Sequence, residues 1–459
     1  MRYLIGFVLV VALVAGGLFV YAGRLPGPAI EIVKPTRFVG QSTTVEVTLT
    51  SPGARHTGDF QVAFEQNGKQ TPLASFSQLA TAEVKQDGPD RVRITRTFGR
   101  ETIPDLKSGP ARIVVTAERP VLYGLRKTRT TATRDVQVRL EKPSIAVLST
   151  KHYINLGGSE MVVYRATPSD IETGVLVGDI KYPGYPASGA KLEGVHITDP
   201  AVKIAFIALR YDQDVNTPMY AYAKDEAGNT ARADFDRLTF PKPFKKSRIP
   251  LDDKFLERVV PAILETTSEV NPQGTTIEKF LVLNGELRRK NAEKIASFAA
   301  HSAPEILWGG AVFHPFTNTA VESAFADQRT YVYNGKEVDR QTHLGFDLAR
   351  VVNSPIVSSN RGKVVYAAPL GIYGNCVILD HGMGVQSLYA HLSSIGVQVG
   401  QMVEKEQALG KSGMTGLAGG DHLHFTLLVN GQMVNPVEWW DAHWIQDRII
   451  RKLREASGG

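Results

Sequence analysis

Hydrophobic residues form one long uninterrupted run at the start of the chain. Leu4 to Ala22 is nineteen residues without a charge, and about 20 apolar residues suffice for a helix to cross a bilayer. The run exceeds the apolar core of about 7–15 residues found in secretory signal peptides, which favours an uncleaved membrane anchor. Val20-Tyr21-Ala22 resembles a small-residue cleavage signal, so a cleaved signal peptide is the alternative. Both interpretations export the rest of the chain.

Apolar and polar residues then alternate with the period of two that is typical of half-buried β-strands. Residues 44–50 and 135–140 show this pattern, and residues 112–117 are a third strand candidate. Gly and Pro punctuate the intervals between them. The pattern predicts an all-β region over residues 25–142.

A second β region is predicted over residues 143–242. Residues 203–209 form a short apolar run, and residues 220–230 loosely resemble a strand and turn of bacterial immunoglobulin-like domains. Two β-sandwiches of about a hundred residues each fit the spacing of these segments. We expect them to act as a spacer or as a partner-binding arm.

The period changes to that of a helix after the basic, proline-containing linker that begins near residue 243. Phe255, Val259 and Ile263 recur at helical spacing, although Pro261 is expected to kink or end this segment. A second helix is predicted over residues 276–300.

Composition and charge limit the classes of function that are compatible with the chain. A net charge of +6 spread over 459 residues is compatible with an anionic cell-wall or membrane surface. With neither a recognition helix nor an aromatic and basic stacking platform, it does not indicate nucleic-acid binding. Cys376 is the only cysteine, which excludes an intramolecular disulfide. It lies in an apolar strand segment and is predicted to be a small buried side chain.

Most of the candidate chemistry lies near the C-terminus, in three short segments that supply four histidines and one aspartate. They are His343-Leu344-Gly345-Phe346-Asp347, Tyr389-Ala390-His391-Leu392 and His422-Leu423-His424. Two neutral imidazoles and a carboxylate would leave the fourth position of a catalytic zinc open, and two histidines would remain for proton transfer. Residues two apart face the same side of a strand, and Gly345 argues against a helix interior. We therefore place the site on facing antiparallel strands.

Residues from about 322 to 438 resemble the lysostaphin-type (LytM-domain) zinc metallopeptidases, which cut peptidoglycan cross-links. Besides the three segments above, the resemblance rests on Asp380-His381-Gly382-Met383-Gly384, on residues 410–416 (Gly-Lys-Ser-Gly-Met-Thr-Gly) and on Val434-Asn435-Pro436. It implies a small antiparallel β fold with a groove over the metal. In one departure, Asp421 stands where the family most often has a small residue or proline, and it adds a carboxylate that could tune His422.

The resemblance assigns roles to five residues. It implies one zinc ion per chain, held by His343, Asp347 and His424, and a catalytic pair formed by His391 and His422. A metal-activated water would then hydrolyse a peptide bond. The sequence does not divide the proton transfers between the two histidines, and it leaves open whether a D-Ala–diaminopimelate or a glycine-containing cross-link is cut.

The fold class expected from these features is a mainly β chain behind an N-terminal transmembrane helix. The predicted parts are a membrane anchor or signal segment (1–24), two immunoglobulin-like β-domains (25–142 and 143–242), a linker with helices (243–305), a LytM-type zinc peptidase domain (306–440) and a C-terminal helical tail (441–459). The helices of the linker are expected to pack on the peptidase or to cover its groove, and a covering role would make the enzyme latent.

The sequence therefore predicts a zinc metalloendopeptidase acting on peptidoglycan. We expect a single-pass protein of the bacterial inner membrane with its bulk in the periplasm, or a secreted protein if the leader is cleaved. Expected partners are peptidoglycan, the membrane through the N-terminal helix, and proteins bound by the immunoglobulin-like domains. The alternative function is a non-enzymatic scaffold or activator of another cell-wall hydrolase. The complete set of His343, Asp347, His391, His422 and His424 favours the enzyme.

Overall fold

The computed structural model describes residues 2–51, 59–76, 82–314 and 316–458. These residues form two compact units. Unit 1 comprises residues 1–143 and 224–231, and unit 2 comprises residues 144–223 and 232–459. The apolar run at the start of the chain forms helix α1, Arg2–Ala22, of which Tyr3–Ala22 is long and apolar enough to cross a membrane. The uninterrupted apolar run thus forms a single N-terminal helix, which fits both a membrane anchor and a signal segment.

Two β-sheets build unit 1 around one hydrophobic core. The predicted alternation is visible in strand β3, where Val45, Val47 and Leu49 are buried and their neighbours Thr44 and Glu46 are partly exposed. The two sheets have the strand orders β1-β3-β7-β6 and β2-β9-β8-β4-β5. The strands are β1 (Ala29–Lys34), β2 (Phe38–Val39), β3 (Thr43–Thr50), β4 (Phe60–Gln66), β5 (Lys69–Ser75), β6 (Glu83–Gln86), β7 (Arg91–Phe98), β8 (Gly109–Val121) and β9 (Arg126–Val138).

Unit 2 begins with the second β region, whose sheets run β10-β12-β16-β15, β14-β13-β17-β18 and β11-β19. The apolar run predicted as a buried strand lies in β16, which is buried at all but one position. The strands are β10 (Ser144–Val147), β11 (His152–Asn155), β12 (Ser159–Thr167), β13 (Glu172–Val177), β14 (Ile180–Pro183), β15 (Tyr185–Pro186), β16 (Val202–Ala208), β17 (Met219–Lys224), β18 (Thr230–Ala233) and β19 (Arg237–Phe240); a 3₁₀ turn spans Ala187–Gly189.

The helical segment follows strand β20 (Lys246–Leu251). Helix α2, Asp253–Leu264, begins at an Asp252 N-cap and continues through Pro261 rather than ending there. The predicted second helix is divided into α3 (Thr276–Val282), a π turn (Leu283–Leu287), α4 (Arg288–Ser297) and a 3₁₀ turn (Phe298–His301).

The C-terminal part is an eight-stranded sheet flanked by two three-stranded sheets. The large sheet has the order β21-β24-β32-β28-β27-β26-β30, with β33 paired to β32; the smaller ones run β25-β31-β29 and β20-β22-β23. The strands are β21 (Ala320–Ser323), β22 (Asp327–Tyr333), β23 (Lys336–His343), β24 (Phe346–Ala349), β25 (Pro355–Val357), β26 (Gly362–Pro369), β27 (Asn375–Gly382), β28 (Val385–Leu392), β29 (Ser394–Ile395), β30 (Met402–Val403), β31 (Ala408–Lys411), β32 (Leu423–Val429) and β33 (Gln432–Val434). The remaining elements are 3₁₀ turns at Gly371–Tyr373 and Pro436–Trp440, helix α5 (Ala442–Ile445), a π turn at Gln446–Ile450 and helix α6 (Arg451–Ala456).

The mainly β architecture, the N-terminal apolar helix and the C-terminal antiparallel β domain confirm the predicted fold class. The immunoglobulin-like character of the two sandwiches and the six-part division of the chain stay predictions.

The second β region and the C-terminal sheet share one continuous hydrophobic core. Polar contacts join them as well. The buried carboxylate of Glu438 accepts hydrogen bonds from Asn155 Nδ2 (2.9 Å) and from the backbone N–H of Ser159 (2.8 Å). Trp439 Nε1 donates to Ser159 Oγ at 2.8 Å. The second β region is therefore built into the unit that carries the histidine segments.

A fully buried ion pair fastens helix α6 to strand β12. Lys452 Nζ donates to Glu160 Oε1 at 2.8 Å, and neither side chain is exposed to solvent. The other carboxylate oxygen of Glu160 accepts from the backbone N–H of Tyr153. Burial raises the pKa of Glu160 and lowers the pKa of Lys452, so each charge depends on the other to remain ionised.

Replacing Lys452 by methionine should therefore destabilise unit 2. The substitution keeps most of the side-chain volume but leaves the Glu160 carboxylate buried without its cation, a change that typically costs about 3–5 kcal/mol. Urea unfolding of the Lys452→Met variant measures the loss. Arg289→Met is the control, because Arg289 forms an exposed pair with Glu293 and such pairs contribute little. Equal stability of the two variants would contradict this account of the buried pair.

Candidate metal centre and its cavity

Antiparallel pairing of β24, β28 and β32 brings the predicted residues together. Asp347 and His424 are paired across β24 and β32, and Ala390 is paired with His424 across β28 and β32. His391 follows Ala390 at the end of β28, and His343 ends β23. All five predicted site residues line one cavity of about 510 Å³. Asp347, His391 and His424 lie on the antiparallel strands β24, β28 and β32, whereas His343 ends a strand of a smaller sheet and His422 directly precedes β32.

Three side-chain atoms converge at the floor of this cavity. His343 Nε2 lies 2.9 Å from Asp347 Oδ1 and 3.0 Å from His424 Nδ1, and His424 Nδ1 lies 2.9 Å from the same carboxylate oxygen. All three residues are buried. Two imidazole nitrogens and one carboxylate oxygen thus form a triangle with nearly equal sides.

Hydrogen bonds on the far sides of the rings fix which nitrogen carries the proton. Thr426 Oγ1 donates its hydrogen to the Leu344 carbonyl (2.9 Å), so it accepts from His424 Nε2 at 3.0 Å. His343 Nδ1 lies 3.2 Å from the Ala324 carbonyl, which can only accept. The lone pairs of His424 Nδ1 and His343 Nε2 therefore point toward the triangle.

Gly345 leaves the space that the His424 ring occupies. A Cβ atom at residue 345 would lie 2.5 Å from Cε1 of His424 and 2.7 Å from Oγ1 of Thr426. No carbon side chain fits at such distances without displacing the imidazole. The glycine between His343 and Asp347 is thus a packing requirement of the site.

His391 and His422 form a second pair of rings, with centroids 4.9 Å apart. His391 Nδ1 donates to the carbonyl of Thr415 at 2.8 Å, and His422 Nδ1 donates to the carbonyl of Gly420 at 2.9 Å. In its neutral form each ring therefore has an unprotonated Nε2. That of His422 lies 3.5 Å from Asp347 Oδ1 and gains a hydrogen bond to it when the ring is protonated. His391 holds a positive φ of 61°, a backbone conformation that costs energy in a non-glycine residue and is concentrated at functional sites.

Burial and neighbouring charges shift the pKa values of the site residues in different directions. Burial and the neighbouring histidines His422 and His424 hold the pKa of His391 well below its ordinary value. Burial acts against the charged form of His422 as well, but the hydrogen bond and charge of Asp347 raise its pKa. Burial lowers the pKa of His424 to about 4. Burial opposes ionisation of Asp347, yet His343 and the other histidines around it hold the pKa of its carboxyl well below the usual range.

Arg329 is a site residue that the sequence did not reveal. Its guanidinium Nη2 donates to Asp347 Oδ2 at 2.9 Å, on the carboxylate oxygen that does not face the histidines. The side chain is only 21% exposed. Arg329 lies on β22, outside the histidine segments, and no local pattern marks it.

The helical segment supplies one wall of the cavity. Arg288 and Ala292 of α4 line it, as do Leu417 and Gly420. Asn291, on the same helix, is buried and accepts a hydrogen bond from the backbone N–H of Ile372 at 3.0 Å. The predicted packing of these helices against the C-terminal domain is thus observed, and it places α4 beside the groove.

Two residues with possible site roles lie elsewhere. Both carboxylate oxygens of Asp421 accept hydrogen bonds from loop residues, Ser412 and Asn353, and Asp421 does not line the cavity. Cys376 is buried in β27, and burial raises the pKa of its thiol.

His381 and Tyr389, which stand in the segments that carry the family resemblance, have structural roles. His381 bonds the Arg361 carbonyl and Ser387 Oγ, each at 2.7 Å, and burial lowers its pKa to about 4. Tyr389 is buried, and its hydroxyl donates to Ser359 Oγ.

The donor triangle suits a zinc ion. Zinc bonds imidazole nitrogen and carboxylate oxygen at about 2.0–2.2 Å, so its tetrahedral ligands lie roughly 3.3 Å apart. The observed separations of 2.9–3.0 Å are close to this spacing. The fixed tautomers present two lone pairs, and an ionised carboxylate completes a group that could hold a metal ion. The chemistry and the spacing of the donors therefore fit the metal.

Residues 341–436 match the family model described as peptidase family M23. The chain contains a peptidase family M23 domain. The resemblance to lysostaphin-type enzymes noted in the sequence is thereby confirmed, and the five histidine and aspartate residues of the cavity all lie inside the matched M23 domain.

Known relatives share this domain. The DD-carboxypeptidase/endopeptidase Mpg of Neisseria meningitidis serogroup B is 34% identical over 129 residues, which cover 28% of this chain and 29% of that protein. The peptidoglycan DD-endopeptidase ShyA of Vibrio cholerae is 40% identical over 96 residues, covering 21% of this chain and 22% of that protein. The chain thus spans less than a third of the length of either relative. A solved peptidase M23 structure from Pseudomonas aeruginosa is 19% identical with a TM-score of 0.35, covering 62% of this chain and 95% of that one.

The close approach at Gly345 leads to a prediction. Gly345→Ala should destabilise the M23 domain by about 1–3 kcal/mol, as overpacking of a filled interior does, because the added methyl group displaces His424. The free energy of unfolding in urea measures the effect. Gly285→Ala is the control, since a Cβ there meets nothing within 4 Å and alanine favours a helix over glycine. If both alanine variants were at least as stable as the parent, the steric account of Gly345 would be wrong.

Proposed function

We propose that the chain is a zinc-dependent endopeptidase that hydrolyses the peptide cross-links of bacterial peptidoglycan. The observation that carries the proposal is the convergence of His343, Asp347 and His424 on one point of a cavity into which His391 and His422 also face. Two relatives of the M23 domain are described as a DD-carboxypeptidase/endopeptidase and a peptidoglycan DD-endopeptidase, which supports a cell-wall peptide as substrate.

His343, Asp347 and His424 would hold the metal through the three atoms of the donor triangle. Zinc bound there supplies a Lewis acid, which polarises a carbonyl group and makes water more acidic. Thr426 and the Ala324 carbonyl keep the two imidazoles in the tautomers that binding requires. Such outer hydrogen bonds orient ligand side chains and increase their basicity.

His391 and His422 would move the protons of the reaction. Each ring is held by a backbone carbonyl at Nδ1, so its Nε2 can accept a proton from water and return one to the leaving amine. Imidazole is a common general acid and base because its ordinary pKa lies near neutrality. Here the pKa of His391 is lowered and that of His422 is raised, which favours His391 as the acceptor in its neutral form and His422 as the donor in its charged form. The burial of both rings keeps bulk water from competing for these protons.

The cavity would accept an extended peptide between the α4 wall and the loop at residues 417–420. Phe280, Leu283, Leu287 and Ile295 bury the other side of the helical segment in the core. This segment is part of the domain's framework, so deleting it to test latency would also open the core.

The N-terminal helix would anchor the enzyme in the bacterial inner membrane. The helix is long and apolar enough to span a bilayer, and peptidoglycan lies outside that membrane. The bulk of the chain would then face the wall.

Zinc analysis and wall digestion test the proposal together. The purified full-length chain should contain one zinc per molecule and release new muropeptides from peptidoglycan. His343→Ala should lose the zinc, because it removes one of three ligands. His391→Ala should keep the zinc and slow cleavage by about 10²–10⁴-fold, the usual contribution of general acid–base catalysis.

The same experiment addresses the alternative function. A chain that binds peptidoglycan but neither binds zinc nor cleaves would favour the non-enzymatic scaffold. His443→Ala serves as the matched control, since His443 is 96% exposed and belongs to the C-terminal tail. Loss of cleavage in that variant would show that the effect is not specific to the site.

Arg329 generates a second expectation. Arg329→Met should lower zinc affinity by about 10-fold, within the range seen when outer hydrogen bonds to metal ligands are removed. The substitution deletes the donor that orients Asp347, and competition with a chromophoric chelator measures the affinity.

The charge of Arg329 acts in the opposite direction, because a cation beside the site repels a divalent ion. Tighter zinc binding by Arg329→Met would therefore show that repulsion outweighs orientation and would contradict the expectation. Arg340→Met is the control, since Arg340 lies on the neighbouring strand in an exposed pair with Glu337.

A further inference from the structure

The long hairpin of unit 1 ends in an exposed apolar tip. Strands β8 and β9 are thirteen residues each, and they pair without interruption up to Val121 and Arg126. The tip between them is Leu122-Tyr123-Gly124-Leu125. The Tyr123 side chain is fully exposed, and Leu125 is 77% exposed. Water is therefore in contact with an aromatic and an aliphatic side chain at the end of the hairpin.

Two residues of this tip have backbone angles that asparagine or glycine adopts more readily. Leu122 and Tyr123 both have positive φ, 52° and 53°, a conformation in which hairpin turns usually carry Asn or Gly. Two bulky side chains at such positions cost energy. The exposure of Tyr123 and Leu125 also leaves apolar surface in contact with water. Neither the backbone strain nor the exposed apolar surface stabilises the core of unit 1. Folding of unit 1 alone therefore does not explain the residues at the tip.

The tip lies beside the end of the apolar helix α1, which belongs to the same unit. The Arg126 guanidinium stacks on the Phe19 ring, 4.6 Å from its centroid, and donates to the Phe19 carbonyl at 2.5 Å. Arg119, on the opposite strand of the hairpin, donates to the carbonyl of Pro26 at 3.0 Å. Contacts therefore link the hairpin to the last turn of the helix and to the segment that follows it.

These contacts set the depth of the tip relative to a bilayer. A span of about 20 residues is needed to cross the hydrocarbon core, so Tyr3–Ala22 must be used over nearly its full length. Phe19 then lies ~4.5 Å inside the end of the span, at 1.5 Å per residue. Because Arg126 contacts Phe19, the adjoining tip is held at the boundary between the acyl chains and the lipid headgroups.

The residue types at and beside the tip are those that favour the membrane–water interface. Tyrosine is enriched at membrane–water interfaces, where its ring meets acyl chains and its hydroxyl meets water. Arginine and lysine side chains extend along apolar surface and place their charges among phosphates. Arg126 and Lys127 follow the tip directly, and Arg24 follows the helix.

We propose that the β8–β9 hairpin tip is a second membrane contact, which inserts Tyr123 and Leu125 into the headgroup region of a phospholipid bilayer beside helix α1. The inference rests on the anchor role of α1 and is independent of peptidase activity. Its partner is the lipid surface itself.

Fluorescence from single labelled sites tests the proposal on the full-length chain in nanodiscs of phosphatidylcholine and phosphatidylglycerol. Tyr123→Cys and, separately, Leu125→Cys receive an environment-sensitive fluorophore; Cys376 is fully buried and stays unlabelled. We expect a blue-shifted emission and several-fold stronger quenching by lipids carrying a spin label near the headgroup than at a control site. Leu125 has ordinary backbone angles, so its variant avoids the strained position.

Asn67→Cys is the matched control. Asn67 is also an exposed hairpin residue with a φ of 52°. It lies at the other end of the same sheet, because Glu65 pairs with Arg112 near the start of β8, about 30 Å from the tip at 3.3 Å per residue.

Quenching at residues 123 and 125 no stronger than at residue 67 would overturn the proposal. Failure of the chain to enter nanodiscs would instead refute the anchor role of α1, and with it the basis of the inference. Muropeptide release by the same samples reports separately on the peptidase.

Discussion

One buried carboxylate organises the candidate site. Asp347 uses Oδ1 to meet His343 and His424, with His422 slightly farther away, and uses Oδ2 to meet Arg329. A buried negative charge is costly unless it is paired and hydrogen-bonded. The Arg329 guanidinium supplies a hydrogen-bonded countercharge at Oδ2, and the lone pairs of His343 and His424 converge with Oδ1 where a bound cation would complete the pairing. Pairing of β24 with β32 supplies this convergence, because it sets Asp347 directly opposite His424. The position of this one side chain thus constrains two sheets and the loop that holds Gly345.

The framework around the site extends well beyond the segment that matches the M23 family. Glu438 and Trp439 bond to residues of the second β region, and Lys452 pairs with Glu160 in its interior. A region joined by a shared core and buried charges cannot swing freely as a spacer would. We therefore attribute a supporting role to residues 144–223, while unit 1 remains available as a spacer or a partner-binding module.

The sequence predicted the residues of the candidate site, but it did not predict the residues that hold them in place. His343, Asp347, His391, His422 and His424 stand in short segments whose alternation places them on strands, so their meeting in one cavity could be expected. Arg329 reaches Asp347 from β22, a strand of a different sheet, and no local pattern encodes that contact. Lys452 belongs to the segment predicted only as a C-terminal helical tail, and its charge is buried against a partner that stands 292 positions earlier. Helix α4 was predicted, but its place as a cavity wall depends on tertiary packing that includes Asn291.

Two attachments to a bilayer would restrict the tilting of unit 1 more than a single attachment does. A single helix followed by a short linker holds a domain near the membrane but leaves it free to tilt about the point of attachment. A second contact at Tyr123, together with the stacking of Arg126 on Phe19, would restrict that tilt. Each contact needs only a small free energy, because the first one raises the effective concentration of the second. The strained and exposed tip of the hairpin is then understandable as the element that fixes the orientation of unit 1 on the membrane.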